Sequence, residues 1–324
     1  MLKTPTVLVE NLKKHYIIRR AGMFNRDLDT LRAVDGVDLE IFQGETFGLV
    51  GESGCGKSTL GRQVLRLEDP TEGRVYFEGE DLQALDRQGL KKLRRQAQIV
   101  FQDPYSSLNP RKTVGRIIED PLIIHQHGSQ AERRKKVLRL IEEVGLKSEH
   151  LSRYPHQFSG GQRQRICVAR ALALNPKFVL CDEPVSALDV SIQAQVINLF
   201  RDLQERHHLT YLFISHDLNL VRYISDRVAV MYLGRLVELA ASKTIYRQPL
   251  HPYTIALQAA TPVADPKGAR ERFLLQGDVP SPIHPPPGCR FEPRCTRAQD
   301  ICREAEPEWR EIESDHWVRC FFAG

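Results

Sequence analysis

Short apolar runs, each giving way to polar residues, recur along the chain. Thr46–Val50 (TFGLV), Gln98–Phe101 (QIVF), Phe178–Cys181 (FVLC) and Thr210–Ser215 (TYLFIS) have the length and near-continuous hydrophobicity of buried strands. Val7–Val9 and Val34–Ile41 read as two further strands, and Val75–Glu80 as a strand ending in a turn. Arg227–Tyr232 and Arg235–Leu239, split by Leu233-Gly234, have the form of a β-hairpin. Between the runs the period changes. Val137, Leu140, Ile141 and Val144 recur at helical spacing behind Ser129-Gln130-Ala131-Glu132, a capping box, and Gly145 can end that helix. Leu60–Leu67, Arg163–Leu174 and the stretch carrying Ile192, Val196, Leu199 and Leu203 also read as helices. Arg19–Thr30 is basic and irregular, and is expected to be a loop. Beyond about Pro249 the texture turns proline-rich. QPLHPY (248–253) and VPSPIHPPPG (279–288) read as extended, linker-like segments outside the core.

With 324 residues the chain can hold one large or two smaller domains. Its 41% hydrophobic and 27% charged content is that of a soluble globular protein, and no apolar run approaches the roughly 18–20 residues of a membrane span. The N-terminus lacks a secretory apolar core, so the expected location is the cytoplasm, with any membrane reached through a partner. A net charge of +5 is too mild to argue for nucleic acid. The Arg133–Lys136 run reads as a solvated helix face. Four of seven cysteines, Cys289, Cys295, Cys302 and Cys320, crowd the tail at C-x₅-C-x₆-C-x₁₇-C. In a cytosolic chain that grouping asks for a metal rather than disulfides.

The candidate chemistry sits where the apolar runs end. After Thr46–Val50 comes Gly51-Glu52-Ser53-Gly54-Cys55-Gly56-Lys57-Ser58-Thr59, the G-x-x-x-x-G-K-[ST] pattern with a strand before it and a helix after. Glycines let successive N–H groups turn inward on phosphate oxygens, and the helix start adds partial positive charge. Lys57 is then the group for the β- and γ-phosphates and Ser58 a Mg²⁺ ligand, so the chain is expected to bind a nucleoside triphosphate. Gln102 lies at the end of a second apolar run. Ser159-Gly160-Gly161-Gln162 opens a helix and is a second anion-seeking element. Asp182 and Glu183 end another run; Asp182 suits water-mediated Mg²⁺ binding, and Glu183 can take a proton from attacking water. Ser186-Ala187-Leu188-Asp189 follows as a polar turn, and His216 at a strand end can donate to a γ-phosphate. Tyr16 offers a ring for adenine.

In this order, the 51–59 loop, Gln102, SGGQ at 159–162, Asp182-Glu183, SALD at 186–189 and His216 resemble the ATP-binding cassette (ABC) ATPases, from the first strand to about residue 250. Phe158 stands where the family more often has Leu, an apolar exchange. HPYT at 251–254, VPSP at 279–282, PPPGC at 285–289 and the later cysteines are similar to the C-terminal region of oligopeptide/dipeptide importer ATPases, closest to their second ATPase subunit.

The resemblance implies an α/β fold: a P-loop NTPase, RecA-like core with an antiparallel β-subdomain, a helical subdomain at about 103–174, and an irregular Cys-rich extension. It divides the chain into an ATPase domain, 1–250, and the importer-type C-terminal region, 251–324. It implies ATP with Mg²⁺ held by Ser58, Gln102 and Asp182, catalysis by Glu183 with His216 and Gln102, and adenine on Tyr16. It also implies that Ser159, Gly160, Gly161, Gln162 and Asp189 serve nucleotide across a head-to-tail cassette pair. The implied partners are a second ATPase subunit, two transmembrane permeases and an extracytoplasmic peptide-binding protein, with the chain peripheral on the cytoplasmic face of the inner membrane. The surface around 103–125 is expected to meet the permeases. In relatives, tail cysteines so spaced hold an iron–sulfur cluster. Thiolate-only ligation suits [4Fe–4S], with a Cys₄ Zn²⁺ site as one alternative and no metal at all as the other. The solute stays open: nickel or another small solute is an alternative to peptides, and a cassette ATPase acting on nucleic acid or ribosomes is the rival class.

Overall fold

The computed structural model describes residues 4–19, 28–260 and 277–323. Their contacts divide the chain into two compact units, one formed by 1–41, 46–83 and 215–324, the other by 42–45 and 84–214.

The first unit contains an antiparallel sheet in which Pro5–Arg19 pairs with Glu72–Phe77, Val7 opposite Phe77 and Val9 opposite Val75. The register slips between Glu10 and Lys13, where Asn11 adopts φ 44°. Gly73 makes that bulge possible, since a Cβ there would lie 2.3 Å from the Asn11 carbonyl oxygen. Residues 20–27 of the expected basic loop lie outside the described residues. On either side the strands run further than hydrophobicity alone predicts, to Arg19 and from Leu28. The extra length of Leu28–Phe42 alternates exposed and half-buried positions, and a strand wetted on one face carries no apolar run to detect.

The same unit holds Thr46–Val50, buried throughout, parallel to Arg227–Tyr232 with Leu49 opposite Ala229. The predicted hairpin is present: Arg227–Tyr232 turns at Leu233-Gly234 into Arg235–Ala241. His316–Val318 and Arg310–Glu313 then add to its outer edge.

Of the two proline-rich segments, VPSPIHPPPG (279–288) is irregular and largely outside the core, as expected, whereas QPLHPY (248–253) departs from the linker reading. Leu250, His251 and Tyr253 are buried, and Pro252 opens a helix to Ala260, its fixed φ suiting a first helical position. A buried carboxylate organises the segment. Glu238 accepts the backbone N–H groups of Leu250 and His251 at 2.8 and 3.0 Å and pairs with His316 Nε2 at 2.8 Å. Further on, Pro282 accepts the Arg32 N–H, and Arg290, buried, donates to the Leu233 carbonyl and to Asp35. At Pro252 the proline opens packed structure rather than ending it.

The second unit is built on three parallel strands, Ala97–Val100, Phe178–Asp182 and Thr210–Ser215, in register Ala97–Phe178 and Phe178–Thr210. Helices Val114–Ile124, Gln130–Glu143, Gly160–Leu172 and Val190–His207 belong to this unit. Phe200 meets Tyr211 and Phe213 edge-on at 5.7 and 5.9 Å, fixing the last helix on its strand.

Candidate nucleotide-binding site

In the first unit the loop 51–56 leaves a fully buried strand and enters the helix Lys57–Val64. Gly56, with φ 110°, makes the junction, and a Cβ on it would lie 2.0 Å from the Ala33 carbonyl oxygen. The loop is braced from below, because the Gly234 N–H in the hairpin turn donates to the Cys55 carbonyl at 2.9 Å. Lys57 lies almost fully buried with its ammonium across the loop, 2.8 Å from the Gly51 carbonyl and 3.0 Å from that of Glu52. Cys55 packs 3.8 Å from that ammonium, and burial raises its thiol above the usual range. Ser58 and Thr59 occupy the first helical turn; Ser53 and Gly54 are exposed at the loop tip. The arrangement is a glycine-rich loop at a helix start with one cation laid across it, a setting suited to polyphosphate.

Tyr16 lies within the first strand rather than after it. Burial raises its phenol, which donates to Glu68 and hydrogen-bonds Thr59, while the Lys14 ammonium stands 5.1 Å from its ring centroid. His216 is exposed, directly after Thr210–Ser215.

In the second unit Gln102 follows Ala97–Val100 and Glu183 follows Phe178–Asp182, at the carboxyl ends of adjacent parallel strands. The Gln102 amide donates to the Glu183 carboxylate at 3.2 Å. Asp182 is buried at its strand end. Glu183 takes φ 47°, a left-handed conformation unusual for a side-chain-bearing residue, held by its N–H on the Ile214 carbonyl at 3.0 Å. The Ser186 hydroxyl donates back to the Glu183 carbonyl at 3.1 Å. Gln193 closes the SALD turn by donating to the carbonyls of Val185 and Leu188 at 3.1 and 2.9 Å, which sets Asp189 at the entry of Val190–His207.

SGGQ forms a reciprocal cap. Ser159 Oγ accepts the Gln162 N–H at 3.4 Å, and Gln162 Oε1 accepts the Ser159 N–H at 3.1 Å. Both glycines face the SALD segment: a Cβ on Gly161 would lie 2.4 Å from Ile192, and one on Gly160 3.2 Å from Leu188. Their smallness therefore also serves close packing, a role the pattern S-G-G-Q does not disclose. Arg163, one residue on, stacks its guanidinium 3.9 Å from the Tyr105 ring centroid.

Contacts to Glu52 escaped sequence reasoning altogether. Its N–H donates to the Tyr253 hydroxyl at 2.9 Å, and its carboxylate receives both terminal nitrogens of Arg294 at 2.7 and 3.0 Å. Tyr253 lies in the HPYT motif, a visible signal without a visible partner; Arg294 carries no signal. The tail cysteines also converge. All seven cysteines are thiols, and Cys289, Cys295, Cys302 and Cys320 line one cavity with Phe291 and His251. The Cys289 N–H donates to the Cys302 carbonyl at 2.8 Å, and burial raises the Cys289 thiol to about 12. Among the described residues no three His, Cys, Asp or Glu side chains stand close enough together to hold a metal ion. Nor is any helix among them long and apolar enough to cross a membrane.

Known proteins share this chain's sequence and fold. Residues 34–186 match the ABC transporter family, and residues 237–302 match the oligopeptide/dipeptide transporter C-terminal region. The ATP-binding cassette MJ0796, solved as a dimer in a post-hydrolysis state bound to ADP and Pi, is 33% identical and superposes with a TM-score of 0.64 over 73% of this chain and 98% of its own. The chain is an ABC-type ATPase with the cassette fold. Its similarity to particular relatives runs end to end. The oligopeptide transport ATP-binding protein AppF of Bacillus subtilis is 53% identical over 96% of this chain and 95% of its own length. The dipeptide transport ATP-binding protein DppF of Escherichia coli is 51% identical over 99% and 95%. The chain belongs to the oligopeptide/dipeptide branch of the ABC transporter ATP-binding proteins.

Proposed function

We propose that this chain is the ATP-hydrolysing subunit of a membrane importer for di- or oligopeptides. The observation that carries the reading is whole-length similarity to peptide transport ATP-binding proteins, including the oligopeptide/dipeptide transporter C-terminal region at 237–302. The residues take these roles. Loop 51–59 wraps the phosphates, with Lys57 on the β- and γ-phosphates. Ser58 and Gln102 hold Mg²⁺, and Asp182 holds it through water. Bound Mg²⁺ neutralises charge on the transferring phosphoryl group. Glu183 orients water and accepts its proton, and the Gln102 hydrogen bond fixes the carboxylate that does so. His216 donates to the γ-phosphate, and Tyr16 stacks on adenine. Ser159, Gly160, Gly161, Gln162 and Asp189 address nucleotide held by a second cassette subunit.

Closing and reopening of the pair drives two permeases, fed by an extracytoplasmic peptide-binding protein, with this chain on the cytoplasmic face. Tyr105 and Ile124, 61% and 67% exposed within the segment 103–125, suit a surface that permeases cover. The spacing of the four tail cysteines is what supports a [4Fe–4S] cluster, with Zn²⁺ as the alternative; they line one cavity, but no three of them stand close enough together to hold a metal ion as they are placed. Absorbance near 400 nm with stoichiometric iron supports the cluster; stoichiometric zinc without that band refutes it. The decisive experiment is mild detergent purification of the chain from native membranes with mass spectrometry of what accompanies it. Two multi-span permeases and a second cassette ATPase are expected. Ribosomal proteins or DNA in their place would overturn transport while leaving the ATPase standing.

A further inference from the structure

Glu52 lies inside the phosphate loop, yet its backbone and its side chain are both held by the C-terminal region. The Tyr253 hydroxyl accepts the Glu52 N–H at 2.9 Å, and Arg294 grips the carboxylate with two parallel hydrogen bonds of 2.7 and 3.0 Å. The Arg294 side chain is 5% exposed and that of Glu52 26%, so the pair is largely withdrawn from water. A forked guanidinium–carboxylate pair there fixes orientation as well as position. Arg294 is itself fixed, because its guanidinium lies 5.9 Å from the Tyr232 ring centroid and 3.5 Å from the Tyr232 hydroxyl. Tyr232, Tyr253 and Phe291 pack as one aromatic cluster, with centroids 4.7–5.4 Å apart. The Glu52 carbonyl in turn accepts the Lys57 ammonium at 3.0 Å. One residue of the loop thus joins the tail on one side to the phosphate-seeking lysine on the other.

We infer that the C-terminal region is a built-in clamp on the phosphate loop, with Arg294 and Tyr253 as positioning residues that set nucleotide affinity through Glu52 and Lys57. The inference rests on reading 51–59 as the phosphate loop. A tail that only stabilised the fold could dock anywhere on the unit. This one instead spends a buried fork and a buried hydroxyl on the second residue of that loop. Preorganising the loop lowers the ordering cost of binding, so releasing the clamp weakens ground-state nucleotide binding and leaves the chemical step alone.

The test measures Kd for a fluorescent ATP analogue with Mg²⁺, and ATPase kinetics, on the whole chain and on Arg294→Met, Arg294→Lys and Tyr253→Phe. Arg294→Met is expected to raise Kd and KM about tenfold, as loss of a charged hydrogen-bond pair does, with kcat within about twofold. Arg294→Lys, which keeps the charge and loses the fork, falls between wild type and Arg294→Met. Tyr253→Phe removes one hydroxyl and raises Kd by roughly threefold. Melting temperatures identify any variant that fails to fold, and Tyr253→Phe carries the test if Arg294→Met is lost. Unchanged Kd and KM in folded variants, with only the melting temperature lowered, would overturn the clamp and make the tail purely structural. Failure of the wild-type chain to bind the analogue would instead overturn the phosphate-loop reading itself.

Discussion

The Gln102 amide nitrogen lies 3.2 Å from the Glu183 carboxylate, linking the ends of two adjacent parallel strands. Carboxyl ends of neighbouring parallel strands are where open α/β sheets present their chemistry. The contact gives the proposed base a fixed orientation, reinforced by the left-handed backbone at Glu183.

Glu183→Gln keeps the size and the hydrogen bonding and removes the proton acceptor. ATP binding should persist within about threefold while kcat falls at least about 100-fold, the scale of general-base catalysis. Nucleotide titration and single-turnover hydrolysis decide it; wild-type-like turnover would refute the base assignment.

Gly56→Ala forces a Cβ to within 2.0 Å of the Ala33 carbonyl oxygen at φ 110°. The loop must move, so ATP binding should be lost and stability should drop by about 2 kcal/mol or more. A folded Gly56→Ala chain that binds ATP normally would show that the loop tolerates another path.

Asp35 predicts acid sensitivity. Burial alone would raise its carboxyl, but hydrogen bonds from Arg290 and His15 and the Arg235 charge hold it at about 2 in the folded chain. With its folded value below its unfolded value, the network stabilises fully above roughly pH 4 and is lost as pH falls towards 2. The contribution is about 1–2 kcal/mol, reduced from the full shift because part of the network is solvated. Urea unfolding of Asp35→Asn from pH 6 to pH 2 should show a shallower decline than wild type; identical slopes would exclude Asp35 as a source.

Ser129→Ala removes one half of a cap in which Ser129 N–H meets Glu132 at 2.6 Å and Ser129 Oγ accepts the Glu132 N–H. About 1 kcal/mol of stability should go, with the ATPase untouched. Denaturant midpoints at constant m-value measure it, and no shift would mean that the cap is idle.

The contrast between Ser129 and Arg294 explains what could be read in the sequence. The cap at Ser129, the loop 51–59 and the hairpin at Leu233-Gly234 are local: their partners lie within a few residues, so spacing alone carries the signal. Buried strands such as Thr46–Val50 announce themselves as unbroken apolar runs. The outer half of Leu28–Phe42 does not, being wet on one face. The proline-rich tail misleads, because Pro252 looks like a breaker and acts as a helix start, and because Glu238 supplies hydrogen bonds from 12 and 13 residues upstream. Gly161 stands in an anion-seeking S-G-G-Q pattern and also serves to admit Ile192. Pairings such as Glu52 with Arg294 leave no trace in spacing.

That pairing bridges 242 residues. A ribosome adding roughly 5–20 residues per second releases Arg294 some 12–50 s after Glu52. Throughout that interval the nascent cassette has a phosphate loop without its clamp. A chain cut short before residue 294 never acquires it, so on the clamp reading such a copy would bind nucleotide more weakly than the whole chain.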